Sequence, residues 1–263
     1  MDRIRAILFD LNFGAFMEPK ISIILPVANE RDLVSGALNH LLSLGADEVI
    51  AVDGSSQDGT EEVIRREFPS VRLFQTAYAE RSLQMNTGAF EAKGDIFLFV
   101  HVDMRLPSDA LEKIRGRIDS GFIGGGFIKR YDPSNIILNA YAFCLNRFYF
   151  SWMRCLAGTN AIFVTRSVFE SIHGFPDVPI LEDLIFSDGM RKAGKMAVVE
   201  SPVTVSSRRY LKHGIARQIM NNGRVLIGYK FFREKLDDLK ERYALGSHGR
   251  KADFIFREIS GTR

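Results

Sequence analysis

Between residues 21 and 100, short β-branched and aromatic runs alternate with stretches of helical spacing, and no other feature restricts the fold as much. Residues 21–27, 48–52, 71–75 and 96–100 read as strands, the last of them (IFLFV) apolar throughout. Residues 31–44 place Leu33, Ala37, Leu38, Leu41 and Leu42 at helical spacing; a helix starts near Thr60, and residues 83–92 form another. Such alternation makes right-handed βαβ units and a mostly parallel sheet.

The pattern then changes. Residues 108–120 read as a helix and 124–129 as an antiparallel strand. Residues 134–154 are rich in aromatics, 161–165 form a strand, and 182–193 a helix. Two short strands follow at 195–200 and 203–206, and the chain from Tyr210 to about Tyr243 is helical and basic. Neither a repeat nor a low-complexity linker divides the chain. The expected organisation is an appendage at 1–16, one domain over 17–245 and a tail at 246–263. Within the domain, a nucleotide-binding half (about 21–105) precedes an acceptor half (about 106–245).

At 263 residues the chain is long enough for a sizeable core, and 46% hydrophobic with 25% charged residues is ordinary for a globular protein. A formal net charge of +3 is too small to point to nucleic acid, but it suits an anionic ligand such as a nucleotide diphosphate. Cys144 and Cys155 lack metal-ligand spacing and read as reduced thiols of a cytoplasmic protein. No run approaches the roughly 18–20 apolar residues of a membrane span. The short apolar run at the N-terminus is interrupted by Asp10 and Asn12 and does not read as a signal peptide. Within it, residues 7–12 (ILFDLN) resemble the start of a haloacid-dehalogenase-type phosphatase, but the second acidic position is Asn12 and a different fold begins at Ile21.

Open α/β sheets bind ligands at the C-terminal ends of their strands. The first strand runs into Pro26, Val27, Ala28, Asn29 and Glu30, and the second into Asp53 and a Gly/Ser turn ending in Asp58, Gly59 and Thr60. This pattern can hold a base or ribose, or it can be a turn with Asp58 or Thr60 as helix cap. Neither a P-loop nor GxGxxG is present. The fourth strand ends in His101, Val102 and Asp103. A carboxylate there suits Mg2+ or Mn2+ shared with a diphosphate, or caps the loop before Pro107.

The ordered series PVANE, VDGSSQDGT, ERSLQMNTGA, FVHVDMRLP and PILEDLIFSDGMRKAG, spanning about residues 21–229, resembles family-2 glycosyltransferases of the GT-A fold. The similarity is to the bacterial and archaeal subgroup with QMN, HAD-like and ED motifs. The resemblance implies a GT-A-like (Rossmann-like) α/β/α sandwich and an inverting transfer from a UDP- or GDP-sugar to an acceptor hydroxyl. It places Pro26, Glu30 and Asp53 at the nucleoside, Arg81 over the base or phosphates, Asp103 on Mg2+ or Mn2+, and Asp183 as catalytic base. Asp183 could instead only favour the helix N-terminus that it starts.

Two positions depart from the subgroup. His101 stands where the usual Asp-x-Asp metal motif has its first acid, which assigns it to the ribose or to packing. Gly158, Thr159 and Asn160 replace a Gly-Asp-Gln expected near the acceptor. Arg208 and Arg209 are candidates for the diphosphate and His213 for a second metal ligand; solvation and a structural role are the plainer readings. Tyr141, Phe143, Phe148, Tyr149, Phe150 and Trp152, with Asn146, Arg147 and Arg154, read as core or as a peripheral contact with the inner membrane surface. The acceptor class is open among saccharides, lipid-linked groups and small molecules. Two rival functions are a nucleotidyltransferase, whose glycine-rich, Arg/Lys-containing first loop is missing, and a non-catalytic nucleotide-sugar binder.

Overall fold

The computed structural model describes residues 18–152, 155–232 and 234–248. The expected N-terminal appendage, the phosphatase-like run, Arg154 and most of the tail lie outside them. So do the side chains of Tyr149 and Trp152. No helix among the described residues is long and apolar enough to cross a membrane.

Eight strands form one sheet: β1 (Ile21–Val27), β2 (Glu48–Asp53), β3 (Arg72–Gln75), β4 (Ile96–Phe99), β5 (Met104–Arg105), β6 (Gly124–Asp132), β7 (Phe163–Thr165) and β8 (Met196–Ser206). Their spatial order is β3-β2-β1-β4-β7-β6-β8-β5. The pairs joining β1 to β4 among themselves are all parallel, as the alternation requires. Beyond β4 the sheet is mixed. β7 runs antiparallel to both β4 and β6, β5 is antiparallel to β8, and β6 is parallel to β8.

Ten α-helices accompany the sheet among the described residues: α1 (Arg31–Ser43), α2 (Thr60–Glu67), α3 (Arg81–Glu91), α4 (Ala110–Asp119), α5 (Ile136–Cys144), α6 (Arg166–Ser171), α7 (Glu182–Ala193), α8 (Arg208–His213), α9 (Ile215–Ile227) and α10 (Leu236–His248). α5 and α9 continue into π-helical turns at Leu145–Trp152 and Gly228–Phe232. Strand alternation sends successive side chains to opposite faces. Ile23, Leu25, Val49, Ala51 and Leu98 join Val34, Leu38, Val63, Leu111 and Ile114 of α1, α2 and α4 in one core. Ile24, Ile50, Val52, Phe97 and Phe99 join Met85, Ala89, Phe169, Phe186 and Met190 of α3, α6 and α7 in the other.

Two expectations are corrected. The two short strands at 195–200 and 203–206 are one strand, β8, whose register against β6 jumps from Phe127↔Val199 to Lys129↔Val203. Pro202 has no N–H to offer the ladder, so the extra residues between the pairs bulge instead of ending the strand. The cap of α2 is Gly59, at φ 91°, a left-handed conformation that costs glycine little. The Asp58 carboxylate instead accepts the N–H of Thr60 and of Arg31, tying the turn to the start of α1.

The Gln-Met-Asn motif in α3 is architectural. Gln84 Nε2 donates to the carbonyls of Val27 at 2.7 Å and Val52 at 2.8 Å, joining the ends of β1 and β2. α3 lies close enough for this because Gly88 carries no side chain: a Cβ there would sit 2.5 Å from Ile24 Cγ2. Asn86 pairs twice with the backbone of Phe175, donating to its carbonyl and accepting its N–H. Phe175 stacks on Phe186 of α7 at 4.0 Å and meets Phe99 of β4 edge-on at 4.9 Å, which fixes the N-terminus of α7 against the sheet.

Gln84→Ala leaves two buried carbonyls one donor short, and the expected loss is about 1–3 kcal/mol of stability. Gln84→Glu is expected to lose more, because an ionised carboxylate has no N–H to give them. Urea denaturation of the three proteins checks this; midpoints equal to wild type would remove Gln84 from this role.

Candidate active site

The loops after β1 and β2 interlock by side chain-to-backbone bonds. Asn29 Oδ1 accepts the Gln57 N–H, Ser56 Oγ accepts the Asn29 N–H, and Thr60 Oγ1 accepts the Glu30 N–H, each at 2.9 Å. Asp53 is fully buried, and its carboxylate accepts both the N–H and the hydroxyl of Ser56. In this structure that carboxylate therefore braces the turn. Pro26 is buried within β1 opposite Val52.

Glu30 stands at the mouth of the cleft. Burial raises its pKa, Arg208 at 3.9 Å works against that rise, and the Asp103 and Asp58 charges add to it. Glu30, Asp58, Asp103, Arg208 and Arg209 thus share one electrostatic neighbourhood. Arg208 is more than half exposed, whereas Arg209 donates to the Tyr243 hydroxyl of α10 at 3.2 Å. His213 closes the same short helix, α8, that Arg208 opens.

Asp103 emerges after β4, and its backbone carbonyl accepts the Ser206 N–H at 3.0 Å. Its carboxylate has no hydrogen-bond or ion-pair partner among the described residues, although it acts on Glu30. No group of three or more His, Cys, Asp or Glu side chains among those residues is arranged to hold a metal ion by itself. The donor set fits a hard cation bound through one or two carboxylates, with substrate phosphates and water completing its coordination.

His101 is neutral: burial, then the Arg81 and Arg209 guanidiniums, lower its pKa to about 3. Arg81, first in α3, reaches Glu182 of α7 at 3.4 Å. Burial and the adjacent Asp183 charge raise the pKa of Glu182. Asp183 Oδ2 accepts the Gly158 N–H at 2.5 Å, and Oδ1 accepts the Leu184 N–H at 2.8 Å. Gly158 is the meeting point: a Cβ there would lie 2.6 Å from His101 Nε2 and 3.6 Å from Asp183 Oδ2. The strand end that carries His101 and Asp103 therefore closes on the helix start that carries Asp183.

Sequence reasoning missed two residues beside Asp183. Lys129 of β6 is 5% exposed, and its Nζ donates to Thr159 Oγ1 at 2.6 Å. Its readable signal was a lysine at the inward-facing position between Phe127 and Tyr131. Glu182 was overlooked as a pairing partner for Arg81, because a separation of 101 residues hides that contact from local pattern.

Residues 22–169 match the family model described as Glycosyl transferase family 2. The chain belongs to glycosyl transferase family 2. It is 28% identical over 184 residues to the glycosyltransferase AglE of Haloferax volcanii, covering 60% of this chain and 57% of that protein. It is 30% identical over 120 residues to a dolichol-phosphate mannosyltransferase of Pyrococcus furiosus, covering 42% of this chain and 34% of that one. The chain thus spans only part of both relatives. Among solved structures, it resembles the mannosyltransferase PcManGT from Pyrobaculum calidifontis in complex with GDP-Man and Mn2+ (TM-score 0.62, 20% identity, 92% of this chain and 75% of that one). It also resembles S. aureus TarS 1–349 in complex with UDP-GlcNAc (TM-score 0.57, 16% identity, 71% and 58%). The fold is that of the GT-A glycosyltransferases.

In this member of glycosyl transferase family 2, the space at Gly158 is what allows His101 and Asp183 to approach the same turn. Gly158→Ala forces a shift there and is expected to cost about 1–3 kcal/mol, as overpacking does. Adding His101→Ala should return most of that loss, because it removes the atom that the new methyl meets. A double-mutant cycle by denaturant unfolding measures the coupling, and strict additivity would show that the clash is absorbed elsewhere.

Proposed function

We propose that the chain is an inverting, metal-dependent, hexosyltransferase-like enzyme that moves a sugar from a UDP- or GDP-sugar to an acceptor hydroxyl. The observation that carries this reading is the closure at Gly158, which sets a free strand-end carboxylate and a backbone-held helix-start carboxylate on one cleft. The names of the similar structures, which record GDP-Man with Mn2+ and UDP-GlcNAc, support a nucleotide-sugar donor.

Asp103 would hold Mg2+ or Mn2+, which supplies neutralisation of charge on the departing diphosphate. Arg208 reaches the same mouth with a guanidinium fork suited to phosphate oxygens, and Arg209 adds a second positive charge beside it. Glu30, half-buried and with its pKa raised, is the carboxyl placed to meet the nucleoside. Asp53 supports it from below by fixing the Ser56 turn. Arg81 reaches over the cleft from α3, and neutral His101 offers a ring nitrogen without adding negative charge. His213, at the end of α8, is the second candidate ligand. Asp183 takes the acceptor proton late in the displacement: each of its oxygens accepts one backbone N–H and keeps a further lone pair.

The reading includes a peripheral contact with a membrane surface. The helical rod from Ile136 through Phe148 exposes Ile136, Ile137, Ala140, Phe143, Cys144 and Phe148 along one stripe. A second stripe on α9 and its continuation exposes Arg217, Met220, Arg224, Ile227 and Phe231. Tyr141 and Phe150 turn inward, so the aromatic segment divides between core and surface. Residues 133–169 and 201–233 contain no Asp or Glu, so neither stripe carries an acid and the second carries arginines, as interfacial helices do.

With a donor panel, release of UDP or GDP is expected to require Mg2+ or Mn2+. Asp103→Ala should abolish the metal-dependent part of nucleotide affinity. Asp183→Asn should keep that affinity while transfer falls by about 10²–10⁴-fold, the usual weight of a general base. A folded Asp183→Asn protein with near-wild-type transfer would exclude single-displacement base catalysis at this residue.

For the membrane contact, co-sedimentation with phosphatidylglycerol vesicles is expected to exceed that with phosphatidylcholine vesicles and to fall with salt. Replacing Phe231 and Phe232 together by Ser should weaken it. Equal binding to both vesicles, or no effect of the double substitution, would remove the membrane from the reading.

A further inference from the structure

β6 alternates cleanly over its second half: Phe127, Lys129 and Tyr131 are buried, at 0%, 5% and 4% exposure, while Arg130 and Asp132 face solvent. A strand position flanked on its own face by two buried aromatics favours another apolar side chain. An ammonium there gives up its hydration, which only strong partners return. Lys129 has few such partners. Its Nζ donates to Thr159 Oγ1, and among the described residues no carboxylate lies at ion-pairing distance from it. The lysine is thus a poor choice for stability, and the residues around it show what it serves.

Thr159 follows Gly158, whose N–H holds Asp183 Oδ2. Asn160 pins the same turn from its other end, donating to the Phe127 carbonyl at 2.8 Å and accepting the Ala157 N–H at 3.1 Å. The 158–160 turn is therefore fastened to β6 twice, once by Asn160 and once by Lys129, and it presents one N–H to one carboxylate. Charged or titratable groups around the turn are Asp183 and Glu182 on α7, Arg81 on α3 and His101 after β4. Of these, only Asp183 acts appreciably on the ammonium: burial lowers the Lys129 pKa to about 8 and the Asp183 charge pulls it back up. The lysine is charged at neutral pH and discharges on the alkaline side.

We propose that Lys129 is a positioning residue for Asp183: through Thr159 it fastens the turn that holds the carboxylate, and its ammonium keeps a positive charge beside that carboxylate. The inference rests on the reading of Asp183 as the proton acceptor. It makes the turn at 158–160 part of the base's machinery as well as a neighbour of the acceptor.

The test separates a positioning role from a structural one. Lys129→Met is expected to melt no lower than wild type at pH 7, since the substitution removes a buried charge. Its kcat should fall about 10–100-fold, the usual weight of a residue that orients another, with KM for the nucleotide sugar unchanged. An alkaline limb near pH 8 is expected in the wild-type profile and should be absent from that of Lys129→Met. Ethylammonium should restore part of the turnover of Lys129→Ala, and sodium chloride of equal ionic strength should not. Thr159→Val, which leaves the charge but removes its anchor, should also lower kcat. Lys129→Met melting below wild type, or retaining full kcat, overturns the proposal. One measurement needs no turnover: the 13Cε resonance of Lys129, assigned by its loss in Lys129→Met, should titrate near pH 8. It should titrate lower still in Asp183→Asn. An unchanged titration overturns the proposal whatever the enzymology shows. The expected shift in a protein that releases neither UDP nor GDP would uphold the Lys129–Asp183 coupling and sink the transferase reading instead.

Discussion

The cleft depends on one amide. Strands β1 and β2 end side by side, with the carbonyls of Val27 and Val52 facing the packed helix α3. Gln84 Nε2 meets both, which lets α3 lie across the strand ends at the distance that Gly88 permits. The interlocked loops that carry Glu30 and Asp53 start from those ends. Two residues further along, Asn86 gives the backbone of Phe175 the pair of bonds that a neighbouring strand would give, and Phe175 carries α7 with it. A single helix therefore sets the Glu30 side and the Asp183 side of the cleft from one rigid body.

Charge is distributed around this frame unevenly. The mouth gathers Glu30, Asp58 and Asp103 with Arg208 and Arg209. The inner end holds Glu182 and Asp183 with Arg81 outside and Lys129 beneath. His101 lies between the two and is neutral, so the groups that would meet a diphosphate and the groups that would meet an acceptor proton are separated by an uncharged ring. The Asp183 charge adds to the cost of ionising buried Glu182, and the Arg81 contact with Glu182 offsets part of that at the cleft's surface.

Much of this was legible in the sequence, and for a physical reason. Strand ends in an α/β sheet are where ligands bind, so Glu30 and Asp103 stand out as candidates by following strands, whereas Asp183 stands out through the family resemblance of its motif. What escaped was set by contacts remote in sequence. Lys129 reads as an ordinary lysine in a strand until alternation is followed through Phe127 and Tyr131. Gln84 and Asn86 stand in the motif ERSLQMNTGA, but nothing local shows that both are spent on backbone groups of remote segments. Asp53 reads as a ligand contact, and local pattern does not show that its carboxylate also accepts the N–H and hydroxyl of Ser56. The aromatic segment after Ser134 carries no signal of which rings turn inward; that depends on packing against β6 and α9.

The two exposed stripes also have an effect at long range. All of the chain's 32 acidic residues lie outside residues 133–169 and 201–233, so the half that carries α5, α8 and α9 is the positive end of a molecule whose net charge is only +3. Such a separation is a dipole. Near a negatively charged surface the torque on a dipole acts within a few Debye lengths, before any side chain touches. A protein with such a dipole would arrive at a negatively charged surface already turned, with this positive end leading.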